Sequence, residues 1–248
     1  MSGLWLAGCA TLPPAERQTL IDASRNYTQG NRAAAVTALD RIIRDYDKAA
    51  EIGEAYYIRG LCRVQAGQDG AAVEDFERAI ARSSRSDLVA QCRASLAAIA
   101  FKQGDFNGAA HLYEKAVDDL RDVPPTDQIL YTAGIAMQRA GHWEKANFQF
   151  ARILNRFRTR PIAADARRMV AWRHPYYAVQ LGAFRDTDRA AKLLQDLRKQ
   201  GFDAVQEYVA RGNDSMWVVM TGRYQNYSDA RASLAQIRQR QPQAIIVP

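Results

Sequence analysis

Over the first two-thirds of the chain, apolar positions recur at the spacing of helix faces, and the segments are punctuated by glycine. Gly30, Gly67, Gly104 and Gly141 stand 37 residues apart. Five residues after each comes an alanine: Ala35, Ala72, Ala109 and Ala146. Four further on is a large side chain (Leu39, Phe76, Tyr113, Phe150), and three beyond that is Ile42, Ala79, Ala116 or Ile153. Such a period marks a stacked array in which one supersecondary unit is repeated. Each unit reads as helix–turn–helix. The glycine ends the first helix in a left-handed cap, the alanine lets two helices approach, and the bulky residue one turn later fills the space beside it. Gly60 and Gly134, each seven residues before a turn glycine, are expected to serve the same close approach from the first helix of their pair.

After residue 173 the pattern changes to strand and helix in alternation. The sequence predicts strands at YYAVQLGAF (176–184), DAVQEYVAR (203–211), SMWVVMTGRY (215–224) and AIIV (244–247). Amphipathic helices are predicted at DTDRAAKLLQDLRKQ and NYSDARASLAQIRQRQ. The halves match at an offset of 40: Gly182 with Gly222, Phe184 with Tyr224, Ala190 with Ala230, Leu194 with Leu234 and Leu197 with Ile237. A duplicated βαβ of this length gives a four-stranded antiparallel sheet with two helices on one face. Alternation along the strands puts Val179, Leu181, Val219 and Thr221 toward the helices. Tyr176, Ala178, Gln180, Met216, Val218 and Met220 then point to the other face, which is expected to be uncovered. There Gln180 would be an amide able to donate and accept hydrogen bonds on an apolar platform.

Charge is unevenly distributed. Of the net +7, residues 152–173 contribute most, with seven arginines against Asp165 alone; residues 1–151 hold 17 basic and 19 acidic groups. This basic stretch reads as the end of the last repeat followed by a capping helix after Pro161, offering an electrostatic collar to anionic groups. His111, His142 and His174 are scattered at no ligand spacing, and the chain contains no HExxH motif or nucleophile elbow. The expectation is a protein that is not an enzyme, with no cofactor and no metal.

Three resemblances follow from these residues. The repeats, best matched at roughly 52–84, 88–121 and 126–158 with a weaker unit at about 15–47, resemble the tetratricopeptide repeat, which implies a protein partner on the array. YAVQLGAF, the GF-A turn, the W-V-TGRY strand and Ser228-Asp229-Ala230-Arg231-Ala232 resemble a SPOR domain over the whole tail. That resemblance implies binding to peptidoglycan glycan strands stripped of stem peptides, through the exposed sheet face. The positions carried over are Gln180, on the first strand, and Met216-Trp217, opening the third; Tyr176, Ala183 and Met220 complete the candidate glycan-binding set. Leu6-Ala7-Gly8-Cys9 resembles a lipobox, which implies a lipid anchor on Cys9, placement in the periplasm on the outer membrane, and a tether through Pro13-Pro14.

The expected organisation is a signal remnant and tether at 1–14, helical repeats at 15–158, a basic capping helix or linker at 159–173, and the α+β domain at 174–248. The expected role is a septal cell-envelope adaptor in division or wall remodelling. The alternative is a repeat scaffold for secretion or outer-membrane assembly with the tail as a wall tether or protein-interaction module. No nucleic-acid partner is expected, because SMWVVMTGRY lacks the aromatic pattern of an RNA-recognition strand.

Overall fold

The computed structural model describes residues 11–211 and 214–248; Cys9 and its lipobox lie outside the described residues. The chain divides into two compact units, Met1–Arg121 and Asp122–Pro248. The first holds three helix pairs: α1 (Pro14–Thr28) with α2 (Arg32–Asp45), α3 (Ile52–Gln65) with α4 (Asp69–Arg82), and α5 (Ser86–Gln103) with α6 (Phe106–Glu114). The second opens on a fourth pair, α7 (Thr126–Arg139) and α8 (Trp143–Arg156), followed by α9 (Ile162–Ala171).

The 37-residue register is a packing register. Gly30, Gly67, Gly104 and Gly141 all take positive φ, between 74° and 87°, the left-handed turn that the pattern predicts. All four alanines of the period are 0% exposed, and Leu39, Phe76, Tyr113 and Phe150 are at most 2% exposed. A Cβ on Gly60 would lie 2.7 Å from the Phe76 ring, and one on Gly134 would lie 2.5 Å from the Phe150 ring. Each aromatic ring therefore occupies the room left by a missing side chain. The third pair departs from the others in length. α6 stops at Glu114 and a run of turns follows, yet Ala116 keeps its buried place at 0% exposure.

Charged groups also tie neighbouring pairs together. Arg59 on α3 makes a bidentate contact with Asp75 on α4, at 2.6 and 3.0 Å, and donates to Asp40 on α2 at 2.6 Å. Asp75 is 1% exposed and also meets Arg63 at 2.9 Å, so its buried charge is compensated rather than isolated. Cys62 and Cys92 are both free and buried. Burial pushes both thiols up, that of Cys92 to about 12.

In the second unit a four-stranded sheet follows α9, with β1 (Tyr177–Phe184), β2 (Ala204–Arg211), β3 (Asp214–Tyr224) and β4 (Ile245–Val247). The order is β2-β3-β1-β4 and every neighbouring pair is antiparallel. Helices α10 (Thr187–Lys199) and α11 (Tyr227–Ile237) bury Leu197 and Ile237 in a common core with Val179, Leu181 and Val219. The duplication extends to hydrogen bonds. Asp186 caps α10 through the Asp188 and Arg189 amides, and Asn226, 40 positions later, caps α11 through Asp229. Arg198 Nε donates to the Ala204 carbonyl at 3.2 Å; Arg238 Nε donates to Ala244 at 3.0 Å.

The close approach of α7 and α8 is testable. Gly134→Ala is expected to destabilise the second unit by about 1–3 kcal/mol through overpacking. In a Phe150→Leu background the same substitution should cost measurably less, because the opposing ring is gone. Chemical denaturation of the four proteins of this cycle gives the coupling directly.

Candidate functional site

Strand register determines which candidate residues meet. Gln180 lies opposite Met220 on β3 and Ile245 on β4. Ala183 lies opposite Val218, and Met216 opposite Val209. Directly opposed residues share a face, so Gln180, Ala183, Met216 and Met220 stand together on the face away from α10 and α11, with Val205, Glu207 and Val209 of β2. Trp217 does not join them. It pairs with Phe184 and Tyr208, belongs to the helix-side core, and has its ring centroid 4.9 Å from that of Tyr208. Tyr208 itself is 62% exposed, so the two rings mark the sheet margin rather than its platform.

The expectation of an uncovered face fails at the centre. Ala178, Val218 and Met220 are each only 1% exposed. The cause is the segment between α9 and β1, which returns along the sheet. Trp172 joins Ala178, Met220 and Val247 in one apolar cluster, and its indole Nε1 donates to the Tyr176 carbonyl at 2.9 Å. Behind it the rings of His174 and Tyr176 stack, with centroids 4.9 Å apart and planes tilted by 25°. His174 Nε2 meets Glu207 Oε2 at 2.8 Å, and the Arg223 guanidinium lies 5.6 Å from the Tyr176 ring centre. Met220 is therefore floor, Tyr176 is a half-buried margin, and Gln180, Ala183 and Met216 keep partial exposure.

A groove of about 510 Å³ remains beside this covered centre. Val170 of α9, Trp172 and His174 form one wall, and Glu207, Tyr208 and Val209 of β2 form the other. Arg167 and Arg173 line the α9 side. Several other arginines of the basic stretch are engaged: Arg156 pairs with Asp122 and Arg160 with the buried Asp127, each at 3.0 Å. The positive charge that the sequence concentrates here is thus partly structural and partly directed to the groove. Among the described residues no group of three His, Cys, Asp or Glu is placed to hold a metal ion. No helix of the described residues is long and apolar enough to cross a membrane.

The sheet domain is also gripped by the last helix pair, whose Trp143 belongs to the same apolar cluster as Trp172 and Met220. Trp143 opens α8 right after the turn glycine Gly141, and its Nε1 donates to the Gln225 carbonyl at 3.0 Å. Its ring meets Tyr177 edge-on at 4.8 Å, and Tyr177 meets Tyr227 at 5.6 Å. Burial raises the Tyr177 phenol well above its ordinary range, with Arg139 acting in the opposite direction.

Comparison with known proteins finds family models that match two parts of the chain. A family model described as "SPOR domain" matches residues 174–248, and one described as "Tetratricopeptide repeat" matches residues 89–123. Solved structures titled "Crystal structure of MamA" and "Crystal structure of MamA protein" share 21% and 13% identity with this chain. They cover 58% and 63% of it and 79% of their own chains, with TM-scores of 0.47 and 0.49. A search of curated proteins found no match. The SPOR match suggests peptidoglycan binding and association with the cell envelope, and the repeat match suggests protein interaction.

Trp143→Ala is expected to cost the second unit about 3–5 kcal/mol, the usual range for truncating a buried aromatic. A melt of the full chain should show that loss confined to one of two transitions. A C-terminal fragment beginning at residue 174 should be less stable than the same sequence within the full chain, because it leaves Tyr177 and Tyr227 without the indole. The chain thus carries a SPOR domain at residues 174–248, built against the last of its tetratricopeptide-type helix pairs.

Proposed function

We propose that this protein is a non-catalytic adaptor of the cell envelope that holds glycan strands of peptidoglycan with its C-terminal domain and a protein partner with its helical repeats. The match of residues 174–248 to the SPOR domain carries the reading, and the sheet face supports it chemically. Gln180 supplies an amide beside Ala183 and Met216, a set suited to acetamido groups and to the apolar faces of sugar rings. Arg167 and Arg173, on the groove wall, supply positive charge for the lactyl carboxylates of a strand whose stem peptides are gone.

In this proposal Cys9 bears the lipid anchor that holds the protein at the outer membrane, and the glycan strand brings it to the septum during division or wall remodelling. The covered centre of the sheet leaves the ligand the partly exposed Gln180, on β1 between β3 and β4, and the groove along α9.

The full chain should therefore pellet with purified sacculi, more so after amidase treatment has removed stem peptides. Gln180→Ala should weaken that binding roughly three- to tenfold, the worth of a hydrogen bond or two to the ligand. Equal pelleting with treated and untreated sacculi, or binding indifferent to Gln180, would instead favour the scaffold reading, with the domain as a general wall tether or protein-interaction module.

A further inference from the structure

A second cavity in this unit shares no lining residue with the groove along α9. It has a volume of about 610 Å³ and opens among α7, α11 and β4, within the range of roughly 300–1,000 Å³ typical of small-ligand sites. Three arginines line it: Arg139 from α7, Arg231 from α11, and Arg238 at the C-terminal cap of α11. Among the described residues its lining includes no Asp or Glu. Three guanidinium groups around one concavity, with no Asp or Glu side chain among them, make a site of positive potential.

The remaining lining narrows the ligand class. Ile135, Met169, Leu234 and Ile246 make much of the wall apolar, more than a bare inorganic anion needs. A nucleobase would want an open aromatic face, and the two tyrosines present are already committed. Tyr177 meets Trp143 and Tyr227 edge-on, and the Arg139 guanidinium covers the Tyr227 ring at 4.4 Å. A guanidinium carries a planar fork of N–H donors that matches a carboxylate bidentately. Arg238 is fixed beside β4 by its bond to the Ala244 carbonyl. Gln138, 2% exposed, brings an amide to the lining, with only a long 3.4 Å hydrogen bond from the Tyr177 hydroxyl to its Oε1.

The cavity also adjoins a sheet edge. β4 is the outer strand, pairs with β1 alone, and leaves Ile245 44% exposed. An edge strand offers main-chain donors and acceptors to an extended backbone. Charge, apolar wall, buried amide and strand edge are together the requirements of one ligand class.

We propose that this cavity binds a short peptide carrying two or more carboxylates and a small apolar side chain. Two sources share that chemistry: stem peptides released from peptidoglycan, and the acidic end of a protein partner. Calorimetric titration of the full chain separates them. The probes are the stem tripeptide L-Ala–D-Glu–diaminopimelate, an all-L Ala-Glu-Leu peptide with a free carboxyl end, and a neutral Ala-Gln-Leu amide.

At least one acidic probe is expected to bind, the tighter of the two naming the source, while the neutral amide does not. Arg231→Gln, an exposed position that the fold tolerates, should weaken binding roughly tenfold, as for loss of a charge-assisted hydrogen bond. Gln180→Ala should leave peptide binding unchanged, so the cavity and the glycan face are judged separately. Failure of both acidic peptides to bind would overturn the proposal. So would equal binding of the neutral amide, or affinity that survives Arg231→Gln combined with Arg139→Gln.

Discussion

The second unit depends on a single indole. Trp143 follows the turn between α7 and α8, and its Nε1 reaches the Gln225 carbonyl in the loop before α11. Gly141 brings the backbone so close to that loop that a Cβ would stand 3.1 Å from the Gln225 oxygen. The same ring closes over Tyr177, which in turn meets Tyr227. Burying a side chain of this size stabilises by about 2–3 kcal/mol, and the edge-on aromatic contact adds about 1 kcal/mol. The turn glycine thus has two tasks in this pair: it ends a helix, as in every other pair, and it lets a neighbouring domain approach.

Two surfaces of different chemistry follow from that joint. On one side, α9 and Trp172 return over the sheet, cover its centre and leave a groove bordered by Arg167, Arg173 and the His174–Glu207 pair. On the other, α7 approaches α11 and β4 and encloses the arginine-lined cavity. Neither surface would exist in the sheet domain alone, because each takes a wall from a helix preceding residue 174. The basic stretch between repeat and sheet is therefore more than a linker. Its arginines partly neutralise Asp122 and Asp127 and partly line the groove.

Much of this was legible in the sequence for a simple reason: the requirements are local and repeated. A left-handed turn needs glycine, a close helix approach needs alanine or glycine, and the need recurs four times at one spacing. The strands and both sheet-domain helices were legible for the same reason, from alternation and from duplicated positions. The caps at Asp186 and Asn226 and the paired bonds of Arg198 and Arg238 carry the same offset of 40, and could have been found by extending that comparison. What the sequence did not show was which surfaces cover which. Strand parity placed Gln180, Met216 and Met220 on one face but could not reveal Trp172 lying across it. Trp217 shares the parity of Val219, and that parity decides its place with the core. The contact of Trp143 with Tyr177 joins residues 34 positions apart, with no periodicity to announce it.

The claim that the last helix pair and the sheet domain are one cooperative body can be measured by hydrogen exchange of the full chain over a denaturant series. Amides of α7 and α8 should lose protection at the same denaturant concentration as those of β1 and β3, since removing the indole opens both sides of the joint at once. Sheet amides that stay protected after α7 and α8 have fully exchanged would contradict the account, and would make the C-terminal domain an independent module.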